Sequence, residues 1–324
     1  MKKKLLCFFT AMLLVIPVTS CATEPQITIK DFSELIAKYK FFHYLAWKIS
    51  TDQIMHAKEN STPVVEFIGP HSQKCDDASV QAVRKMQKLY AESALPTKLN
   101  IIYADDGDRE WLGQKTRALL NPAEIQMVDQ RMINPESINS RTKEAVIWFE
   151  NSCSASDQMS ITGAGTAHGY THAIQKLQFT GTPQAWGSWG KAPRWLLEGG
   201  ATFSENFIAL GNDIETWNSA PQFHNAELKQ YDLAFYEDFL SYDSPAYSWD
   251  VTDKYPAQRA YDIGALVCEM LIAIKGPSAI IDLYADFSKT QNFEVSFTHI
   301  YGVSWSYAKP KIAFALYKFI QETS

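Results

Sequence analysis

Apolar residues recur every three or four positions along most of this chain, which is the spacing of an amphipathic helix. The spacing predicts a helix from Asp31 to about Lys58, a second over about 78–93 and helical structure within 109–130. Gly276-Pro277 and Gly302 interrupt the pattern near the end of the chain, and such residues end helices. Around these stops the last third predicts four helices, at about 257–275, 278–289, 292–301 and 304–321.

Three short runs predict strands instead, at 63–68, 99–103 and 145–149. Each is rich in β-branched and aromatic residues and is only five or six residues long, which is typical of strands. From residue 165 onward the pattern is mostly helical. We therefore expect an α+β fold in which a sheet-bearing N-terminal part precedes a mainly helical C-terminal part.

The first residues predict an export signal. Three lysines at 2–4 precede an apolar run over 5–18, and this run is shorter than the roughly 20 residues that span a bilayer. Val18-Thr19-Ser20-Cys21 resembles a bacterial lipobox, so that cleavage would leave Cys21 for acylation and tether the mature chain to a membrane. Ordinary cleavage after Ala22 is the alternative. Ala22, where an aspartate would favour inner-membrane retention, favours an outer-membrane lipoprotein of the cell envelope that faces the periplasm or the exterior.

We divide the chain into a signal peptide over 1–21, an N-terminal helical segment over 22–60 and a domain over 61–324. The charge is mildly acidic, with a net value of −6 and no basic block, so we expect no nucleic-acid partner. Cys268 lies in an apolar stretch and predicts a buried thiol. Cys75 and Cys153 lie in polar, loop-like surroundings and could form a disulfide in an oxidising compartment.

Two histidines have a spacing that suits a metal. His168 and His172 are four residues apart, so on a helix both side chains lie on one face. From that face both rings can reach one zinc ion at about 2.0–2.1 Å. The alternative is a pair of histidines in the core or on the helix surface.

The segment around Glu198 gives the pair more weight. Trp195-Leu196-Leu197-Glu198-Gly199-Gly200-Ala201 resembles the gluzincin zinc metallopeptidases of the thermolysin and aminopeptidase-N type. In that family His-Glu-x-x-His lies on one helix and a glutamate on a later helix is the third ligand. The resemblance covers about 63–320 and implies zinc bound by His168, His172 and Glu198. It also implies a sheet-bearing lobe over 61–180, a helical lobe over 181–324 and a cleft between them.

Two further residues fit the resemblance. Tyr261, in Ala260-Tyr261-Asp262-Ile263-Gly264, corresponds to a family tyrosine whose hydroxyl stabilises the oxyanion; the alternative is an aromatic residue that packs at the start of a helix. Glu205 is seven residues after Glu198 and could hold a ligand histidine by a hydrogen bond to its other ring nitrogen. The alternative for Glu205 is a solvated carboxylate.

Gly169 departs from the family pattern. The corresponding family residue is the glutamate that acts as general base, and such a base contributes about 10²- to 10⁴-fold to the rate. If Thr166 caps the helix, Gly169 also occupies the position where a glutamate would complete a capping box. The sequence therefore favours a pseudopeptidase that binds a peptide or protein ligand. Gly169 would either make room beside the metal or reflect drift after the loss of peptidase function.

Two alternatives remain open. One is an active metal-dependent peptidase in which another carboxylate, such as Glu205 or Asp262, replaces the base. The other is a metal-free binding protein of the cell envelope. Aromatic and turn residues over 181–190 and 242–255 could form a ligand platform for it, unless they fold inward over the core.

Overall fold

The protein has a mixed α+β fold with a four-stranded sheet among many helices. The structure is a computed structural model that describes residues 27–59, 62–74, 77–121, 136–149, 161–180, 192–220, 226–241 and 256–322. The strands are β1 (Val64–Ile68), β2 (Lys98–Tyr103), β3 (Glu136–Ile138) and β4 (Glu144–Phe149). The helices are α1 (Phe32–Ala37), α2 (Phe42–His56), α3 (Ala78–Leu89), α4 (Arg109–Leu119), α5 (Ala164–Leu177), α6 (Arg194–Leu210), α7 (Ile214–Trp217), α8 (Leu233–Phe239), α9 (Ala257–Lys275), α10 (Ser278–Thr290), α11 (Phe293–Tyr301) and α12 (Trp305–Glu322).

The single helix expected over 31–58 is wrong, because the chain bends at Lys38. Lys38 leaves the helical conformation with φ −121° and ψ 23°, and a turn of 3₁₀ helix over Tyr39–Phe41 leads into α2. The Lys38 Nζ donates to the Thr28 carbonyl at 2.6 Å, which holds the chain before α1 against the bend. The bend lets Phe32 on α1 and Phe42 on α2 both enter the core.

The sheet is mostly parallel. Its strand order is β1-β2-β4-β3, with β1, β2 and β4 parallel and β3 antiparallel at the edge beside β4. The three strands expected from the sequence are confirmed, whereas β3 was not foreseen. A strand of three residues is too short to show the period of two by which strands are identified.

Both faces of the sheet are covered. Alternate residues of a strand point to opposite faces, and in β2 Leu99 and Ile101 belong to the main core. Ile102 points the other way, into a small cluster that also contains Leu112 of α4. The main core runs from Ile29 to Ile320, so the N-terminal helices share it with the rest of the described chain.

Helix α9 is the centre of the helical part. Every residue from 263 to 273 is buried, and a helix that is buried all round needs neighbours on all sides. It packs against α6, α2 and α10. Within the described residues no single helix is long and apolar enough to cross a membrane; α9 and α10 meet that measure only together, across a bend of 99°.

Several sequence predictions fall outside this description. Cys21, Cys75, Cys153 and the aromatic segments over 181–190 and 242–255 lie outside the described residues. Cys268 is buried in α9, as expected. Burial raises the pKa of its thiol well above the usual range, so this cysteine is inert.

Candidate metal centre

The histidine helix, α5, begins directly after a glycine. Gly163 adopts φ +74° just before Ala164, and a Cβ there would lie 2.5 Å from the Ala78 carbonyl oxygen of α3. Only glycine combines this backbone conformation with so close an approach. The interpretation of Thr166 as helix cap is therefore wrong: Thr166 lies inside the first turn, where its hydroxyl donates to Ser79 at 2.7 Å. Gly169 is buried in the interior of α5, where glycine costs about 1 kcal/mol relative to alanine.

His168 and His172 turn their Nε2 atoms toward each other. These two atoms are 3.1 Å apart, and the rings are nearly perpendicular at 77°. Glu198 of α6 closes the group, with its Oε2 3.7 Å from His168 Nε2 and 3.4 Å from His172 Nε2. The three side chains expected to converge therefore do so, although Glu198 follows His172 by 26 residues and lies on another helix.

The carboxylate of Glu198 is deeply buried. The residue is 1% exposed, and its Oε1 has no hydrogen-bond partner among the described residues. A buried carboxylate oxygen without a donor is costly, so such atoms usually mark an ion or another ligand. Together with the two Nε2 atoms, this carboxylate forms a group whose ligand atoms all lie within 4.8 Å of one another. The group could hold a metal ion.

Each histidine makes a hydrogen bond through its Nδ1, the ring nitrogen that faces away from the other two ligands. His168 Nδ1 lies 2.9 Å from Glu205 Oε2, and His172 Nδ1 lies 2.8 Å from Gln175 Oε1. A carboxylate or amide oxygen accepts, so Nδ1–H donates in both cases and Nε2 is the ring nitrogen left to bind a metal. The hydrogen bond expected for Glu205 is thus present in the structure, whereas no role for Gln175 was predicted from the sequence.

The charges in the group depend on each other. Burial disfavours the charged form of His168, but the carboxylates of Glu198 and Glu205 outweigh it and raise its pKa to about 10. Burial likewise disfavours ionised Glu198, yet its contacts with His168 and His172 hold its pKa well below the usual range. At neutral pH His168 therefore carries a proton that a metal ion must displace, and Glu198 is ready to bind one.

Helix α9 places Tyr261 beside His168, at the edge of the candidate metal centre. The Tyr261 ring stacks on the His168 ring at an interplanar angle of 18°, with their centroids 6.1 Å apart. Its neighbour Asp262 pairs with Arg259, whose Nη1 is 3.1 Å from Asp262 Oδ2. Tyr261 thus borders the candidate metal centre, while Asp262 is bound to a cation of its own helix.

Aromatic packing fixes the start of α6, the helix that carries Glu198. Trp195 stacks on Trp305 of α12 with ring centroids 5.2 Å apart, and Phe293 of α11 meets both indoles edge-on. These contacts hold the first turn of α6 against two C-terminal helices. Glu198 is three residues after Trp195, so this packing also positions Glu198.

Comparison with protein-family models, curated proteins and solved structures finds no match to this chain. The chemistry open to the site follows from its donor atoms. Two imidazole nitrogens and one carboxylate suit a borderline-soft transition metal better than magnesium or calcium, which prefer oxygen ligands.

Proposed function

We propose that this chain is an exported, lipid-anchored zinc metalloprotein of the gluzincin type. In this proposal it binds a peptide or protein segment and lacks an efficient means of cleaving it. The observation that carries the proposal is the convergence of His168, His172 and Glu198 on one point, with both Nε2 atoms directed at it.

The size of the donor triangle favours zinc. Ligands about 2.0–2.1 Å from zinc at tetrahedral angles lie about 3.3 Å from each other. The three donor distances here are 3.1, 3.4 and 3.7 Å. Three protein ligands leave one coordination position open, which is typical of catalytic zinc and unlike closed structural sites. Bound there, zinc would supply a Lewis acid that polarises a carbonyl oxygen.

The order of elements supports the gluzincin architecture with a cleft between two lobes. The described strands all precede α5, and the histidine helix, the Glu198 helix and the Tyr261 helix follow in the order that the resemblance implies. Tyr261, stacked beside His168, is suitably placed to border a bound carbonyl group. A peptide ligand follows from the substrate class of that family.

The engagement of the two candidate carboxylates, Glu205 and Asp262, favours binding over catalysis. Neither carboxylate considered as a substitute base is available: Glu205 is bound to His168 Nδ1, on the side of the ring away from Nε2, and Asp262 is paired with Arg259. Without a general base, hydrolysis loses about 10²- to 10⁴-fold. No observation at the site therefore favours the active-peptidase alternative.

The metal-free alternative is weaker on physical grounds. It would leave Glu198 Oε1 buried without a hydrogen-bond donor from the described residues. The aromatic platform that this alternative invokes falls on 181–190 and 242–255, which lie outside the described residues.

The location of the protein is proposed from the signal peptide. Acylation of Cys21 would attach the mature chain to the outer membrane, so the membrane is its expected partner. Labelled palmitate in cells that express the full chain tests this: we expect label in the wild type and none in Cys21→Ser. Label-free wild type released in soluble form after cleavage at Ala22 would contradict the anchor.

A cleavage assay tests the distinction between binding and hydrolysis. Zinc-loaded mature protein is incubated with an unfolded casein substrate beside the His168→Ala variant. We expect equal, background-level cleavage by both proteins. Substantial cleavage by the wild type that is lost in His168→Ala would overturn the pseudopeptidase proposal and establish a peptidase that works without Glu at position 169.

A further inference from the structure

We infer that Gln175 is a positioning residue that sets the protonation pattern of His172 and ties it to the helix that carries Glu198. The inference rests on the proposed zinc centre, since its effect is exerted through a metal ligand. Gln175 is fully buried and lies on α5 one turn beyond His172.

Both ends of the Gln175 amide are engaged. Its Oε1 lies 2.8 Å from His172 Nδ1, and its Nε2 donates to the backbone carbonyl of Leu197 at 3.1 Å. Leu197 is the residue before Glu198. One amide group therefore bonds to the second histidine and to the chain next to the third ligand.

The backbone carbonyl dictates which way the amide faces. The Leu197 oxygen can only accept, so the NH₂ group of Gln175 must point to it, and a flipped amide would set two oxygens against each other. The Gln175 Oε1 must then face His172, and because this oxygen also only accepts, His172 Nδ1 must carry the hydrogen. In the neutral ring this tautomer makes Nε2 the nitrogen that can bind a metal. The chain of hydrogen bonds thus leads from the α6 backbone to a metal-ready imidazole.

The packing around the amide leaves little freedom. A Cβ on Gly200, one turn into α6, would lie 3.3 Å from Gln175 Nε2 and 3.2 Å from a methyl group of Ile280. Such distances are tighter than ordinary van der Waals contact. The glycine therefore gives the amide its space, and the surrounding helices hold it in one orientation.

The choice of an amide is consistent with its burial. Glu205, which does the same for His168, is a carboxylate whose side chain is 22% exposed. At the fully buried position 175 a second carboxylate would carry a desolvation cost. With Gln175 neutral, the negative charges of Glu198 and Glu205 balance one divalent ion.

The test compares zinc affinity in three variants of the mature chain, measured by competition with a chromophoric chelator. Gln175→Leu removes both hydrogen bonds, and we expect zinc affinity to fall by about 10- to 100-fold. Gln175→Glu keeps an acceptor for His172 but cannot donate to the Leu197 carbonyl, so we expect it to recover only part of that loss. Gln178→Leu is the matched control: Gln178 directly follows the last residue of α5, donates to the Ala94 and Ile174 carbonyls and makes neither of these two bonds. We expect it to bind zinc like the wild type.

A second measurement separates positioning from stability. Cobalt replaces zinc, and its visible spectrum reports the geometry of the ligands. We expect the spectrum of Gln175→Leu to change and that of Gln178→Leu to stay as in the wild type. Wild-type zinc affinity and an unchanged cobalt spectrum in Gln175→Leu would overturn the inference and leave the zinc centre intact. Equal losses in Gln175→Glu and Gln175→Leu would overturn the acceptor role. A wild type that binds no zinc would refute the zinc centre itself.

Discussion

The backbones of Gly199 and Gly264 touch where α6 crosses α9. A Cβ on Gly199 would collide with the backbone of Gly264, and a Cβ on Gly264 would collide with the Trp195 carbonyl oxygen. The residue before Gly199 is Glu198, and Tyr261 lies three residues before Gly264. The contact between two glycines thus brings the third ligand and the tyrosine to the same centre.

Gly264→Ala is expected to loosen this crossing. The added methyl group would meet backbone atoms of Trp195 and Gly199 at 2.3–3.1 Å, so the two helices must move apart. Overpacking of this kind costs about 1–3 kcal/mol. Because Glu198 moves with α6, zinc affinity should fall together with the free energy of unfolding, measured with urea. Gly113→Ala is the control, because its Cβ would meet only the flexible end of Arg117, and alanine favours the helix. Equal stability and zinc affinity in Gly264→Ala and the wild type would count against the crossing as the element that places Glu198.

Glu205→Leu is expected to weaken zinc binding without unfolding the protein. The variant removes the acceptor for His168 Nδ1–H, so the ring can rotate or shift its hydrogen, and such losses typically cost about 10- to 100-fold in metal affinity. Glu205→Gln keeps an oxygen acceptor and should lose less. The zinc affinity of each variant is measured by titration and compared with that of Glu215→Gln, a control at an exposed position of α7. An affinity in Glu205→Leu equal to that of the control would show that Glu205 is only a solvated carboxylate.

Zinc affinity should rise with pH. The pKa of His168 is raised to about 10, so across neutral pH the metal must displace one proton from this ring. Displacement of one proton makes the apparent affinity rise about tenfold for each pH unit. Calorimetric titration in buffers of different ionisation enthalpy counts the protons released. An affinity that stays constant from about pH 6 to pH 8 would contradict the raised pKa of His168.

The periodicity of the sequence was a good guide to the C-terminal helices. Helix α9 lies over Ala257–Lys275 as expected, and α10, α11 and α12 begin and end within one residue of the expected bounds. Gly276 and Gly302 explain this success: both have φ above +70°, which glycine adopts easily, so a local residue marks each helix end. No glycine or proline marks the bend at Lys38, where the backbone leaves the helical conformation and the side chain donates to the Thr28 carbonyl.

Only part of the candidate metal centre could be predicted from the sequence. The four-residue spacing of His168 and His172 predicts a shared face, and the similarity around Glu198 suggested a third ligand. Gln175 could not be identified in this way, because its role depends on the Leu197 carbonyl of another helix. The close contact of Gly199 and Gly264 likewise requires the packed structure.

Gly169→Glu should restore a general base. Position 169 lies between the two histidines on α5. In the gluzincins that this segment resembles, the corresponding residue is the glutamate that accepts the proton. In the zinc-loaded variant we expect peptide hydrolysis to exceed that of the wild type by about 10²- to 10⁴-fold. Gly169→Gln is the control, since it has nearly the same size and cannot act as a base. Equal activity in the two variants would argue against a site that lacks only its base.

The central claim is that three side chains bind one metal ion. The direct test is the zinc content of the mature chain after incubation with zinc and gel filtration, measured by elemental analysis. We predict about one zinc per chain in the wild type and almost none in His172→Ala or Glu198→Ala. A wild-type chain that leaves the column without zinc, or a Glu198→Ala chain that retains a full equivalent, would contradict the account.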